Sequence, residues 1–221
     1  MCNAYLSFFF WPGGPYTIGE AQNHLMASAI KDRVTFITSD PLTYLASTST
    51  MYSTAVLCHS IWYFASPAVL LDILRALSTR ANRICVGEWS LVASDLPSFL
   101  HVLAALTEAS LECHKQDSIS NIRTVLSPQR ITDMARGVGL VLERQVFQKT
   151  PEHVVDARYD VFTVLNSGFA REIEDNVKDE REKAAINALR DATRSTKGLL
   201  AENGVGISCM DVWCAVFVVS T

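Results

Sequence analysis

Short apolar runs alternating with helical periodicity constrain this chain more than any other feature. Arg33 to Ser39 (RVTFITS), Thr54 to Cys58 (TAVLC) and Arg83 to Gly87 (RICVG) each have strand length. The second is a continuously apolar run of the kind found in strands covered on both faces. Between the last two, Ser66 is placed to cap a helix and Pro67 to occupy its first turn, where a missing N–H costs nothing. Val69, Leu70, Ile73, Leu74 and Leu77 then form one helical stripe. Strand, helix, strand in that order predicts parallel strands joined by right-handed crossovers. At 221 residues, 49% of them hydrophobic, the chain can fill the core of one α/β domain but not of two with a linker. We expect a single domain over 1–221, with an atypical segment at 1–14.

The remaining elements follow from the same signals. Tyr5 to Phe10 reads as a strand closed by Pro12-Gly13-Gly14-Pro15, and Tyr16 to Ile30 as a helix. A long helix is predicted from Ser94-Asp95 to about Lys115, its face drawn by Leu96, Leu100, Leu103 and Leu106. Ser127-Pro128 starts a short helix that Gly137 stops in a left-handed conformation. A strand over Val138–Phe147 and a helix over Asp156–Asn166 follow. A charged helix is predicted from Arg171 to Leu200, and a last strand from Ile207 to Val219.

Several function classes lose support at once. The net charge is −4 with no run of Lys or Arg, so a nucleic-acid partner has no basic stripe to meet its phosphates. The cysteines at 2, 58, 85, 113, 209 and 214 form no CxxC pair and stand near no cluster of histidines, so no metal site is expected. Cys58 and Cys85 fall in apolar runs where a free thiol acts as a small hydrophobe. Cys209 and Cys214 are an odd number of residues apart, so on one regular strand they would face opposite sides. The apolar start lacks a basic residue and is too short for a span, and no other run reaches membrane length. A cytoplasmic protein with reduced thiols and a small-molecule ligand is the expectation.

In open α/β sheets, ligands bind beyond the carboxyl ends of the strands. The predicted strands end in Ser39-Asp40, in His59-Ser60 followed by Trp62-Tyr63, and in Glu88-Trp89. Acids, an imidazole and aromatics thus reach one rim, which suits a flat, hydrogen-bonding, partly cationic ligand. Each residue also has a plain reading. Asp40 before Pro41 can begin a turn or cap a helix, His59 can be a satisfied interior histidine, and Trp62 and Tyr63 can be core.

GPYTIGEAQNHL, RVTFITSD, TAVLCHSIWYF and RICVGEWS, with the later SNIRT and MDVWCAVFV, resemble the class I S-adenosylmethionine-dependent methyltransferases from about Pro15 onward. The resemblance is to small-molecule methyltransferase-like proteins with a Tyr-Thr-Gly segment after the second strand. It implies a Rossmann-like, open, mostly parallel sheet with helices on both faces and an antiparallel final strand. It also implies S-adenosylmethionine as cofactor. Asp40 and Ser39 would meet the adenine, and Tyr16 and Thr17 the ribose and adenine. His59, Ser60 and Trp62 would border the methionine portion and the methyl group. Glu88, Trp89, His101, Asn121 and Arg123 would shape the acceptor pocket. His59 is the first candidate for a base, because its ordinary pKa lies near neutrality, and His101 the second.

The chain departs from that family at its start, where no GxGxG and no acidic residue precede Pro15. Without glycines that let backbone approach the cofactor, affinity should fall. The resemblance therefore implies an N-terminally truncated fold whose open sheet edge is covered by residues 1–11 or by a second copy in a homodimer. Methyl transfer to a small-molecule acceptor is the leading function. A catalytically inactive binding or dimerisation protein, or a truncated gene product, is the alternative.

Overall fold

The computed structural model describes residues 2–5 and 17–219, and the chain divides into two compact units, 1–50 and 51–221. In the first unit β1 (Cys2–Tyr5) pairs in parallel with β2 (Val34–Ile37). Of the strand predicted over Tyr5–Phe10, Tyr5 belongs to β1, and residues 6–10 lie outside the described residues. Helix α1 (Ile18–Met26) opens on Thr17, whose side chain accepts from the Glu20 N–H while the Glu20 carboxylate accepts from the Thr17 N–H. This reciprocal box satisfies two helix-end donors. A 3₁₀ turn (Lys31–Arg33) leads into β2, and α2 (Pro41–Ser47) follows it.

The second unit is built on a four-stranded sheet in the order β3 (Ala55–Cys58), β4 (Arg83–Trp89), β6 (Val212–Val219), β5 (Leu140–Gln148). β3 and β4 are parallel, and β6 runs antiparallel to both its neighbours. Three strands therefore point one way and the final strand the other. Alternation along β4 buries Ile84, Val86 and Glu88 together, and β6 buries Trp213, Ala215 and Phe217 on the same side of the sheet. β3 is not covered on both faces as its apolar run predicts. It lies at the end of the strand order, and Val56 is 65% exposed with Cys58 also exposed.

Helix α3 (Pro67–Ser78) buries Leu70, Ile73, Leu74 and Leu77. Its N-cap Ser66 has the expected extended backbone, but its side chain makes no cap bond. Helix α4 (Leu96–Glu112) is anchored by Asp95, which accepts from the Ser98 N–H. Its buried face differs from the predicted leucine stripe. Leu96 and Leu106 are exposed, whereas His101, Glu108 and Glu112 are buried because each finds a polar partner. Helix α5 (Pro128–Gly137) is capped by Ser127, and the left-handed residue after it is Gly139 (φ 83°), not Gly137.

α6 (Asp156–Leu165), α7 (Ser167–Asn176) and α8 (Glu180–Glu202) pack with α4 around Leu100, Ala104, Leu111, Val161, Phe169 and Ile173. The predicted Arg171–Leu200 helix is thus two helices. Val177 turns extended and buried, and Asp179 then caps α8 by accepting from the Arg181 and Glu182 N–H groups. The last strand starts at Val212 rather than Ile207, so Cys209 lies ahead of it, buried, and only Cys214 is on it. Among the described residues no helix is long and apolar enough to cross a membrane.

Candidate functional site

β3 ends at Cys58, and the backbone then breaks sharply. His59 takes φ 43°, a left-handed conformation that side-chain-bearing residues seldom adopt and that clusters at functional sites. Its N–H still donates to the Gly87 carbonyl at 2.7 Å, so the turn stays fastened to β4. Glu88 completes the fastening. It is 1% exposed, on the inward side of β4, where Oε2 accepts from the Ile61 N–H and Oε1 from the Trp89 N–H, both at 3.0 Å. A buried carboxylate needs such donors, and here backbone supplies them. Oε1 also lies 3.4 Å from His59 Nδ1.

The loop that Glu88 holds carries an uncommon concentration of unpaired polar atoms. His59 Nδ1, Ser60 Oγ and Trp62 Nε1 are buried with no hydrogen-bond partner among the described residues. Native interiors leave few such groups, and each calls for a physical reason.

Trp89 links this loop to α4. Its ring centroid is 4.6 Å from that of His59 and 4.9 Å, edge-on, from that of His101. His101 is fully buried, with both ring nitrogens engaged. The Met210 N–H donates to Nδ1 at 3.1 Å, so Nδ1 holds a lone pair, and Nε2 carries the hydrogen that meets Asp160 Oδ2 at 2.9 Å.

Asp160 stands at a convergence. Burial first, then the charges of Glu88, Asp156 and Asp160, push the Tyr63 phenol up. Burial and Asp160 push the Glu108 carboxyl up to about 8, against the opposing hydrogen bond from Ser120. Cys209 is raised by burial, with Asp156 and Asp160 adding to it. The Asp160 charge thus acts on Tyr63, Glu108 and Cys209, and its carboxylate meets His101, groups drawn from different parts of the chain.

The loop of residues 118–124 is zipped onto the same region. The N–H groups of Arg123 and Thr124 both donate to the Trp62 carbonyl, and the Thr124 hydroxyl donates to the Phe64 carbonyl at 2.7 Å. The Arg123 guanidinium donates to the carbonyls of Tyr63 and Ser118. Asn121 lies within this loop, half-buried.

Of the residues singled out in the sequence, the structure therefore brings together His59, Ser60, Trp62, Glu88, Trp89, His101 and Arg123. Thr17, Ser39 and Asp40 belong to the first unit, and Tyr16 lies outside the described residues. Asp40 does cap α2, with Oδ1 accepting from the Thr43 N–H and hydroxyl, while no bond to Oδ2 is present among the described residues. Ser39 donates to the Asp40 carbonyl. Asp160 and Glu108 gave no sequence signal, since each sits in a helix with no motif around it. A separate groove of about 410 Å³, lined by Leu91, Val92, Pro128, Thr132 and Phe147, contains none of the expected residues. Among the described residues no group of three or more His, Cys, Asp or Glu could hold a metal ion.

This mixed sheet, with its antiparallel final strand and a polar loop beyond a parallel strand end, is Rossmann-like, and the chain is similar in sequence to proteins named methyltransferases. No family model matches it. Methyltransferase phomM' of Diaporthe leptostromiformis is 27% identical over 240 aligned positions, covering 92% of this chain and 62% of the relative. Methyltransferase phomM of the same organism is 26% identical over 239, with the same coverage, so the chain spans less than two thirds of these curated relatives. The fold is shared with a cyclopropane-fatty-acyl-phospholipid synthase-like protein from Lactobacillus casei ATCC 334. That crystal structure matches at a TM-score of 0.77 and 20% identity, covering 97% of this chain and 73% of the other.

Proposed function

We propose that the chain transfers a methyl group from S-adenosylmethionine to a small-molecule acceptor. The observation that carries this is the set of three unpaired buried polar atoms in the loop after β3. The Trp62 N–H is a donor only, and the Ser60 hydroxyl and the His59 ring nitrogen can donate or accept. Such a set fits a ligand end that bears both a carboxylate and an ammonium, as the methionine portion of the donor does. The residues present therefore suit the group. When bound, it supplies an electrophilic methyl on a sulfonium; the protein's part is to align donor and acceptor and exclude water.

Glu88 acts on this loop from beneath, through the Ile61 N–H, and so serves as a positioning residue. Trp89 offers an aromatic edge between the two histidines, and Tyr63, Asn121 and Arg123 border the acceptor side. Of the two histidines, His59 alone has a ring nitrogen that could exchange a proton, because both of His101's are engaged.

Titration calorimetry with S-adenosylhomocysteine tests the reading. Saturable binding that weakens at least about tenfold in Trp62→Phe, which removes the indole N–H, is expected. Absence of heat from the unsubstituted chain at millimolar ligand would refute it.

A further inference from the structure

We propose that Asp160, oriented by His101, is the group that takes the proton from the methyl acceptor, and that the acceptor is therefore a small molecule whose nucleophilic nitrogen or oxygen carries a hydrogen. The inference rests on the methyl-transfer reading above and assigns its acceptor side.

A base needs a free lone pair, and His101 has none, since Met210 occupies Nδ1 and Nε2 bears the hydrogen given to Asp160. His59 turns Nδ1 toward Glu88 at 3.4 Å and lies within the loop assigned to the donor. Asp160 differs from both. Oδ2 is held by the His101 N–H at 2.9 Å, while Oδ1 makes no hydrogen bond among the described residues. The side chain is 21% exposed, so it is neither enclosed nor on open surface.

His101 also fixes where that free oxygen sits. The ring is 0% exposed and pinned at one nitrogen to the backbone just before β6, so its other nitrogen holds the carboxylate in one orientation. Trp89 carries contact from His101 to His59, giving an unbroken path from the donor loop to Asp160. The Asp160 charge further acts on Tyr63, which follows the donor loop, and on Glu108 and Cys209.

The step balances without another reagent. The lone pair of the acceptor nitrogen or oxygen forms a bond to the methyl carbon, and the carbon–sulfur bond breaks with its electron pair left on sulfur. The acceptor atom becomes positively charged, and its hydrogen passes as a proton to Oδ1 of Asp160. His101 is a positioning residue in this scheme, acting through the carboxylate.

A test needs no knowledge of the acceptor. Sinefungin carries an amine on the carbon that replaces the methylsulfonium, so its ammonium reports a carboxylate near the methyl position. The full chain should bind sinefungin about tenfold or more tighter than S-adenosylhomocysteine by calorimetry, as a charged hydrogen bond warrants. Asp160→Asn should abolish that preference and leave S-adenosylhomocysteine affinity unchanged. His101→Leu should reduce the preference in the same way; a merely structural role would weaken both ligands alike. If the unsubstituted chain binds S-adenosylhomocysteine but shows no preference, or if Asp160→Asn keeps it, Asp160 is excluded and the methyl-transfer reading stands. If the unsubstituted chain binds neither ligand, that reading fails and the Asp160 assignment falls with it.

Discussion

Replacing Glu108 by Gln should make the protein more stable, and increasingly so as pH rises. Glu108 is buried on α4, beside Asp160 and Glu112, and its carboxyl is pushed up to about 8 from an ordinary 4.5. A carboxyl raised by folding favours the protonated form in the native state. Its burial therefore costs nothing below the unfolded value of 4.5, and the cost accrues as pH climbs toward 8. At about 1.4 kcal/mol per pH unit, the gap corresponds to about 5 kcal/mol once both states are ionised. Most of it, about 3 kcal/mol, builds up between about pH 5 and pH 8. Gln keeps an oxygen for the Ser120 hydroxyl and cannot ionise. Urea unfolding at a series of pH values, followed by the fluorescence of Trp62, Trp89 and Trp213, gives the free energy directly. The advantage of Glu108→Gln over the unsubstituted chain should widen by about 3 kcal/mol across that range. A difference constant to within about 0.5 kcal/mol would refute the assignment of a strained, buried acid.

Other outcomes can be checked by the same melts. Glu88→Ala should cost about 2–4 kcal/mol, because it strands the buried N–H groups of Ile61 and Trp89; UV titration of Glu88→Gln should show the Tyr63 phenol ionising at lower pH, as one of the charges raising it is gone. Gly139→Ala should cost about 1 kcal/mol, since this residue, two past the end of α5, holds φ 83° with open space for a methyl group, leaving backbone strain as the whole penalty. Arg190→Met should cost about 1–2 kcal/mol by releasing the carbonyls of Val164, Leu165 and Asn166 at the end of α6.

The parallel β3–α3–β4 unit was legible from apolar runs and a proline at a helix start because those signals are local. The loop after β3 was legible for the same reason: His59, Ser60 and Trp62 directly follow a recognisable strand. Contacts between distant residues were not. Nothing in a sequence says that His101 will meet Asp160 across 59 positions and Met210 across 109, so of the leucines that drew the face of α4, Leu100 is buried while Leu96 and Leu106 are exposed. The break at Val177–Asp179 escaped for a different reason. A capping aspartate in a run of charges looks like one more solvated residue until the buried Val177 before it is known.

Placement of β6 between β4 and β5 has a bearing on how the molecule is made. β5 reaches the rest of its sheet through β6, although some sixty residues, including three helices, are synthesised between them. On the ribosome, then, β5 must wait, its ladder groups unmatched, until Val212–Val219 has emerged and slid into the gap. A stop codon between β5 and that stretch would yield not a slightly shorter protein but two orphaned pieces of sheet, prone to pair with the wrong neighbour.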